Sequence, residues 1–269
     1  MPAWHDAVNA GKESVVCDLK ADPALANALC ARADVVLEGF RPGVLARLGV
    51  TVPGTAVLCS VTGFGLDNRH EQRAGHDLNY LGWAGVLADT APAMPPTQSA
   101  DLSAGGLAAA LEVVAALLER ERTGRGARLT VSMTHGSHRL VAHRLESLPE
   151  RMLTGGLACY RMYATADGRW LTVAALEPKF WCRLCEVVER PELAERQFEP
   201  DQESVATLLA EAVAARPLDE WLALTEAEDV SAGPVWTIAE AAAEFGFERA
   251  GPAPRLGEHT DAWRAELGL

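Results

Sequence analysis

The sequence is short of basic charge. Its 24 lysines and arginines face 37 aspartates and glutamates, giving a formal net charge of −13 over 269 residues. Nucleic acid and anionic membrane both need a basic surface, so neither is expected as a main partner. A local basic pocket for an anionic ligand stays compatible with that balance. No apolar run reaches transmembrane length, and no signal-peptide pattern opens the sequence. Cysteine is sparse: Cys17, Cys30, Cys59, Cys159, Cys182 and Cys185 are scattered through apolar or helical contexts. That distribution is not a disulfide framework, and it predicts reduced thiols in a cytoplasmic protein. Cys182 and Cys185 form a C-x-x-C, but no second Cys/His pair stands at zinc spacing. They are expected to be core thiols, and no metal site is expected. Internal repeats and low-complexity segments are also missing.

What is present is enough apolar material for a sizeable core, 49% of residues. Residues 12–20 (KESVVCDLK) read as a short strand. Residues 22–33 read as a helix, capped by Asp22 with Pro23 at its first position. Strands follow at 34–40 and 55–65, separated by a short helix over 41–49 closed by Gly49. This alternation predicts a parallel α/β sheet, with ligands gathering at the carboxyl ends of strands. Gly63 and Gly65 sit at one such end. A long helix is predicted over 99–127, capped by Ser99 or Asp101 and stopped by Gly124 and Gly126. Its run from Leu102 to Leu118 is almost all small or apolar, so burial nearly all round is expected. Another strand over 127–133 leads into a helix. From about Leu153 the pattern changes to a hairpin around ADGRW and then to helices over 178–190, 202–215 and 217–227. The expected division is a large α/β domain over 1–152, a smaller α+β domain over 153–235, and a segment over 236–269 returning to the large domain.

The stretch AGHDLNYLGWAG, residues 74–85, sets His76 beside Asp77 just ahead of an apolar run. Two readings are open. Asp77 can satisfy free N–H groups at a helix N-terminus, or the pair can take part in proton chemistry.

Seven motifs in order carry a resemblance: KESVVCDLK, ADVVLEGFRPGVLARLG, GFG, AGHDLNYLGWAGVL, the long helix with its RERTGRG end, YATADGRWLTVAALEPKF and APRLGEHT. Together they make the chain similar to the family III CoA-transferases, the CaiB/BaiF group, and within them to the α-methylacyl-CoA racemases. The resemblance implies a Rossmann-like parallel-sheet domain, a small α+β domain and an interlocked homodimer. It also implies an acyl-CoA substrate, with coenzyme A entering as part of that substrate and no further cofactor required. The racemase pattern GHD-x-NY is met by His76, Asp77, Asn79 and Tyr80. The Asp opening the long helix is Asp101, and the Glu of the small domain is Glu177 in LEPKF.

By that resemblance His76 and Asp101 would stand on opposite faces of an acyl-CoA α-carbon. Each would act as base in one direction and as acid in the other, through an enolate. An imidazole suits this role directly, whereas an Asp would need burial to raise its proton affinity. Glu177 would orient the imidazole, and Asp77 could do the same or merely cap the helix. Free N–H groups at the start of the long helix, after Asp101, are expected to face the thioester oxygen. Lys12 and Arg41 are the basic residues expected near CoA phosphates, with Gly63, Gly65 and Tyr80 completing the CoA side. His135, His138 and His143 read as a solvated helix face rather than as metal ligands. His135 stands where the family often has an Asp.

Two departures strike the CoA side. The family normally opens with one more βαβ unit than is seen here, and Glu13 follows Lys12 where a basic residue is usual. An unpaired sheet edge is therefore expected, to be filled by a partner chain, covered by residues 1–11 or left open. Two rivals to the racemase reading follow. One is a CoA-transferase in which Asp101 attacks the thioester. The other is a non-catalytic or repurposed chain that keeps the scaffold.

Overall fold

The computed structural model describes residues 2–145, 151–228, 230–246 and 251–269. The chain divides into two compact units, residues 1–145 with 249–269 and residues 146–248. Helix 238–245, which the sequence places in the returning segment, falls in the second unit.

In the first unit, α1 (Pro2–Asn9) and α2 (Ala24–Arg32) precede β1 (Val35–Glu38). The Asp22 carboxylate accepts the Ala24 N–H at 2.8 Å, so α2 begins where the sequence suggests. After α3 (Val44–Arg47), Gly49 turns the chain at φ 74° into β2 (Val57–Thr62). Then come α4 (Asp77–Trp83), a π-helical segment (Ala100–Leu107) running straight into α5 (Ala108–Thr123), β3 (Arg128–Ser132) and α6 (Met133–Val141). The three strands form a parallel sheet in the order β1-β2-β3, pairing Val35 with Val57 and Leu58 with Arg128. Cys59, Ala109 and Val131 pack together where α5 crosses the sheet. The turn into β3 leaves no room for a side chain. A Cβ on Gly126 would lie 2.1 Å from the Ala56 carbonyl oxygen. Gly126→Ala must therefore push backbone against backbone, and a loss of at least about 1–3 kcal/mol is expected. A urea melt followed by circular dichroism checks it; an unchanged midpoint would contradict this packing.

The expected strand over 12–20 is not formed. Its backbone finds partners in the segment entering α11 (Thr260–Leu267) instead. The Ser14 N–H donates to His259 Nδ1 at 3.1 Å and the Val16 N–H to Thr260 Oγ1 at 2.9 Å. The His259 N–H returns to the Ser14 carbonyl at 2.9 Å. Side-chain acceptors satisfy these groups in place of a neighbouring strand.

The long helix also departs from expectation. It is not buried all round: Leu107, Leu111, Val114 and Leu118, spaced four, three and four residues apart, are 63–71% exposed. Only its opposite side, through Ala109, meets the sheet. At 24 residues, Ala100–Thr123 is also long and apolar enough to cross a membrane by length and composition, contrary to the sequence expectation. That property alone is weak, since core helices share it.

In the second unit, β4 (Tyr160–Ala164), β5 (Trp170–Ala174) and β6 (Ala232–Pro234) form an antiparallel sheet in that order. Gly168, at φ 74°, sits in the turn joining the first two. Helices α7 (Pro178–Val187), α8 (Gln202–Val213) and α9 (Leu218–Glu226) contribute to one core holding Trp181, Leu184, Leu209 and Trp221. Helix α10 (Ile238–Phe245) follows β6. Cys185 lies in this core, where burial pushes its thiol up to about 12, while Cys182 is exposed. A thiol held protonated in this way is packing material, not a metal ligand or redox centre.

Candidate functional site

The carboxyl ends of β1 and β2 open into a cleft of about 490 Å³. Leu37, Glu38 and Gly39 line it from β1 and Val61 from β2, and Met133 closes it from the start of α6. His76 and Asp101 both line it. The local folding that brings them there is readable. Residue 76 is extended, at φ −129° and ψ 175°, immediately before α4. Its N–H donates to Asn79 Oδ1 at 3.0 Å, so Asn79 supplies the cap and the imidazole is left on the surface of the cleft. Asp101 is the second residue of the π-helical segment. Such widened turns often mark functional positions.

Asp77 is buried and does neither of the things expected of it. Its Oδ1 accepts the Asp101 N–H at 2.9 Å, tying the start of α4 to the start of the long helix. This overturns part of the expected oxyanion site. The Asp101 N–H is taken by Asp77, and the Leu102 N–H donates to the Gln98 carbonyl at 2.9 Å. Ser99, the other expected cap, makes no side-chain capping bond. Asp101 is exposed on the cleft wall, and its carboxyl is raised from the ordinary aspartate value, first by partial desolvation and then by the charge of Asp77, with His76 opposing both. An Asp that keeps its proton longer is better matched to exchange with an imidazole.

Tyr80 is buried and anchors the cleft wall. Its hydroxyl donates to the Gly75 carbonyl at 2.5 Å. A Cβ on Gly63 would come within 2.6 Å of its ring and one on Gly75 within 2.7 Å. Glycine at 63 is thus needed to seat the tyrosine. Gly65 turns at φ 79°, and its N–H donates to Thr62 Oγ1 at 3.0 Å, so that donor is used within the loop.

A second lobe of about 490 Å³ shares His76, Tyr80 and Met133 and adds Arg41 and Arg73. Arg41 therefore lies where a phosphate could be met. Arg73 was not singled out by the sequence; its only signal is its place three residues before His76. Lys12 is not among the residues lining either lobe, and its Nζ donates to Asn9 Oδ1 at 3.0 Å. Glu177 belongs to the second unit, where it is exposed as the N-cap of α7 with Pro178 following. His135 Nδ1 bonds Ser132 Oγ at 2.7 Å and His138 Nδ1 bonds the Ala84 carbonyl at 3.1 Å. Among the described residues no cluster of His, Cys, Asp and Glu could hold a metal.

Residues 1–261 match the model of a family described as CoA-transferase family III. An α-methylacyl-CoA racemase of Mus musculus is 33% identical over 256 residues, covering 86% of this chain and 67% of the relative. An acetyl-CoA:oxalate CoA-transferase of Acetobacter aceti is 30% identical over 267 residues, covering 89% of this chain and 68% of that protein. The chain thus spans about two thirds of the length of these relatives. Among solved structures, a CaiB/BaiF family protein of Brucella suis superposes with a TM-score of 0.82 at 26% identity, covering 98% of this chain and 84% of the other. The ordered motifs, the parallel sheet and a match over nearly the whole length agree: the chain belongs to CoA-transferase family III.

Proposed function

We propose that the protein is an acyl-CoA racemase or epimerase that exchanges the α-proton of a 2-methylacyl-CoA thioester. The observation that carries this reading is the presence of His76 and Asp101 in one cleft, with the Asp101 carboxyl raised by partial desolvation and by Asp77. One group takes the α-proton, the thioester carries the resulting charge as an enolate, and the other group returns a proton to the far face. Running the reaction backwards exchanges the two roles. Arg41 and Arg73 would meet the phosphates of CoA in the neighbouring lobe. No metal or redox group is needed for proton exchange of this kind. Similarity to the α-methylacyl-CoA racemase supports the substrate class. Chiral chromatography of a single 2-methylacyl-CoA enantiomer after incubation tests the reading, with loss of optical purity expected.

The similarity to the oxalate CoA-transferase favours one other reading, in which Asp101 attacks the thioester and releases CoA. A transferase would move CoA to a free carboxylic acid, and hydroxylamine would trap the acyl group on Asp101.

The working form is proposed to be a homodimer in a cytoplasmic setting. The exposed stripe Leu107, Leu111, Val114 and Leu118 supports a partner on α5. Covering each such side chain fully is worth about 1.5–3 kcal/mol. Sedimentation velocity should give twice the 28.7 kDa chain mass for the native protein and a smaller species for Leu111→Glu. A native monomer would contradict the dimer.

A further inference from the structure

We propose that Asp77 is a positioning residue for Asp101: its buried carboxylate holds the Asp101 backbone in place and sets a fixed negative charge behind the Asp101 side chain. This rests on reading Asp101 as one of the two proton-transfer groups.

The geometry differs from an ordinary cap. Asp77 is the first residue of α4, yet its carboxylate accepts an N–H from a residue 24 positions on, in another helix. Only 7% of Asp77 is exposed. A carboxylate taken that far out of water needs a partner. Among the described residues no ion pair supplies one. The partner is the helix backbone itself, whose N-terminal end is partially positive and favours an anion. The Asp77 carboxyl thereby stands beside Asp101 with no lysine or arginine paired to it among the described residues.

A negative charge at Asp77, tied to the Asp101 backbone at 2.9 Å, raises the Asp101 carboxyl beyond what desolvation alone does. The groups around Asp101 are Asp77, Tyr80 and His76 from the α4 side and Glu38 from the end of β1, with Arg41, Glu71 and Arg73 in the adjoining lobe that shares His76 and Tyr80. Met133 is the contribution of α6 to the cleft. His135 and Arg139 of α6 and Glu112 of α5 line a separate cavity with Ala104 and Ala108. Desolvation raises the Asp101 carboxyl first, the charge of Asp77 adds to it, and His76 opposes both.

The test uses the full chain. Asp77→Asn keeps an oxygen to accept the Asp101 N–H and removes the charge; Asp77→Ala removes both. The Asp101 carboxyl is titrated by carbon-13 NMR, assigned with Asp101→Asn, and the pH profile of α-proton exchange is recorded beside it. In both variants the Asp101 midpoint is expected to move to lower pH. In Asp77→Asn the acidic limb of kcat should move with it. Asp77→Ala should also lose about ten- to a hundredfold in kcat through misplacement. Reading the midpoint in both variants leaves one result should the other fail to fold. An Asp101 midpoint that stays put overturns the proposal. A midpoint that moves in a protein with no α-proton exchange supports the coupling and refutes only the racemase reading.

Discussion

Replacing Asp101 by alanine is expected to slow interconversion of 2-methylacyl-CoA enantiomers by about 10²–10⁴-fold, the usual contribution of a positioned acid or base. His76→Ala should lose a comparable factor. The two variants should fail differently. With His76 gone, Asp101 can still take the α-proton of the enantiomer that presents it to the Asp101 face, and with Asp101 gone the reverse holds. Each variant should therefore wash deuterium into one enantiomer while losing inversion. The pH dependence follows from the raised Asp101 carboxyl. In the direction that uses Asp101 as base, the rate needs its carboxylate. That rate should fall as pH drops, at a higher pH than for an ordinary aspartate. A single-base mechanism would instead abolish exchange of both enantiomers in one variant and spare it in the other.

Trp181→Ala should be the most damaging substitution for stability. Trp181 has no exposed surface, and its Nε1–H donates to the Leu193 carbonyl at 2.9 Å. Removing the indole opens a cavity among Leu184, Leu193 and Leu209 and leaves that carbonyl without its donor. Large-to-small changes of this kind cost about 3–5 kcal/mol. Urea denaturation followed by circular dichroism should show the midpoint falling sharply. A shift below about 1 kcal/mol would mean that the second unit's core does not depend on this ring.

Signals in the sequence are legible where their physical effect is local. Gly49 and Gly168 mark turns because positive φ suits glycine, and both turns are present. Strands over 35–38, 57–62 and 128–132 follow the alternation of helix and strand. Residues 12–20 carry a strand-like composition but no neighbour, and pairing cannot be read from composition. The apolar α5 was legible as a helix, but its exposed stripe was not, because apolar character alone does not say what covers it. At the site, His76 and Asp101 could be named from motif positions, and the cleft holds both. The bond from Asp101 to Asp77 spans 24 residues and belongs to tertiary packing. A pattern that reads Asp77 beside His76 points to the wrong neighbour. Arg73 was invisible for a similar reason: only the fold turns that loop toward Arg41.

His76 and Asp101 are proposed to exchange an α-proton through an enolate. The most direct measurement is mass spectrometry of one 2-methylacyl-CoA enantiomer, incubated with the native protein in deuterated water together with a free carboxylic acid. The account predicts one deuterium at the α-carbon, the opposite enantiomer in the product and CoA still on its original acyl group. CoA transferred to the free acid, with the α-hydrogen retained, would contradict it.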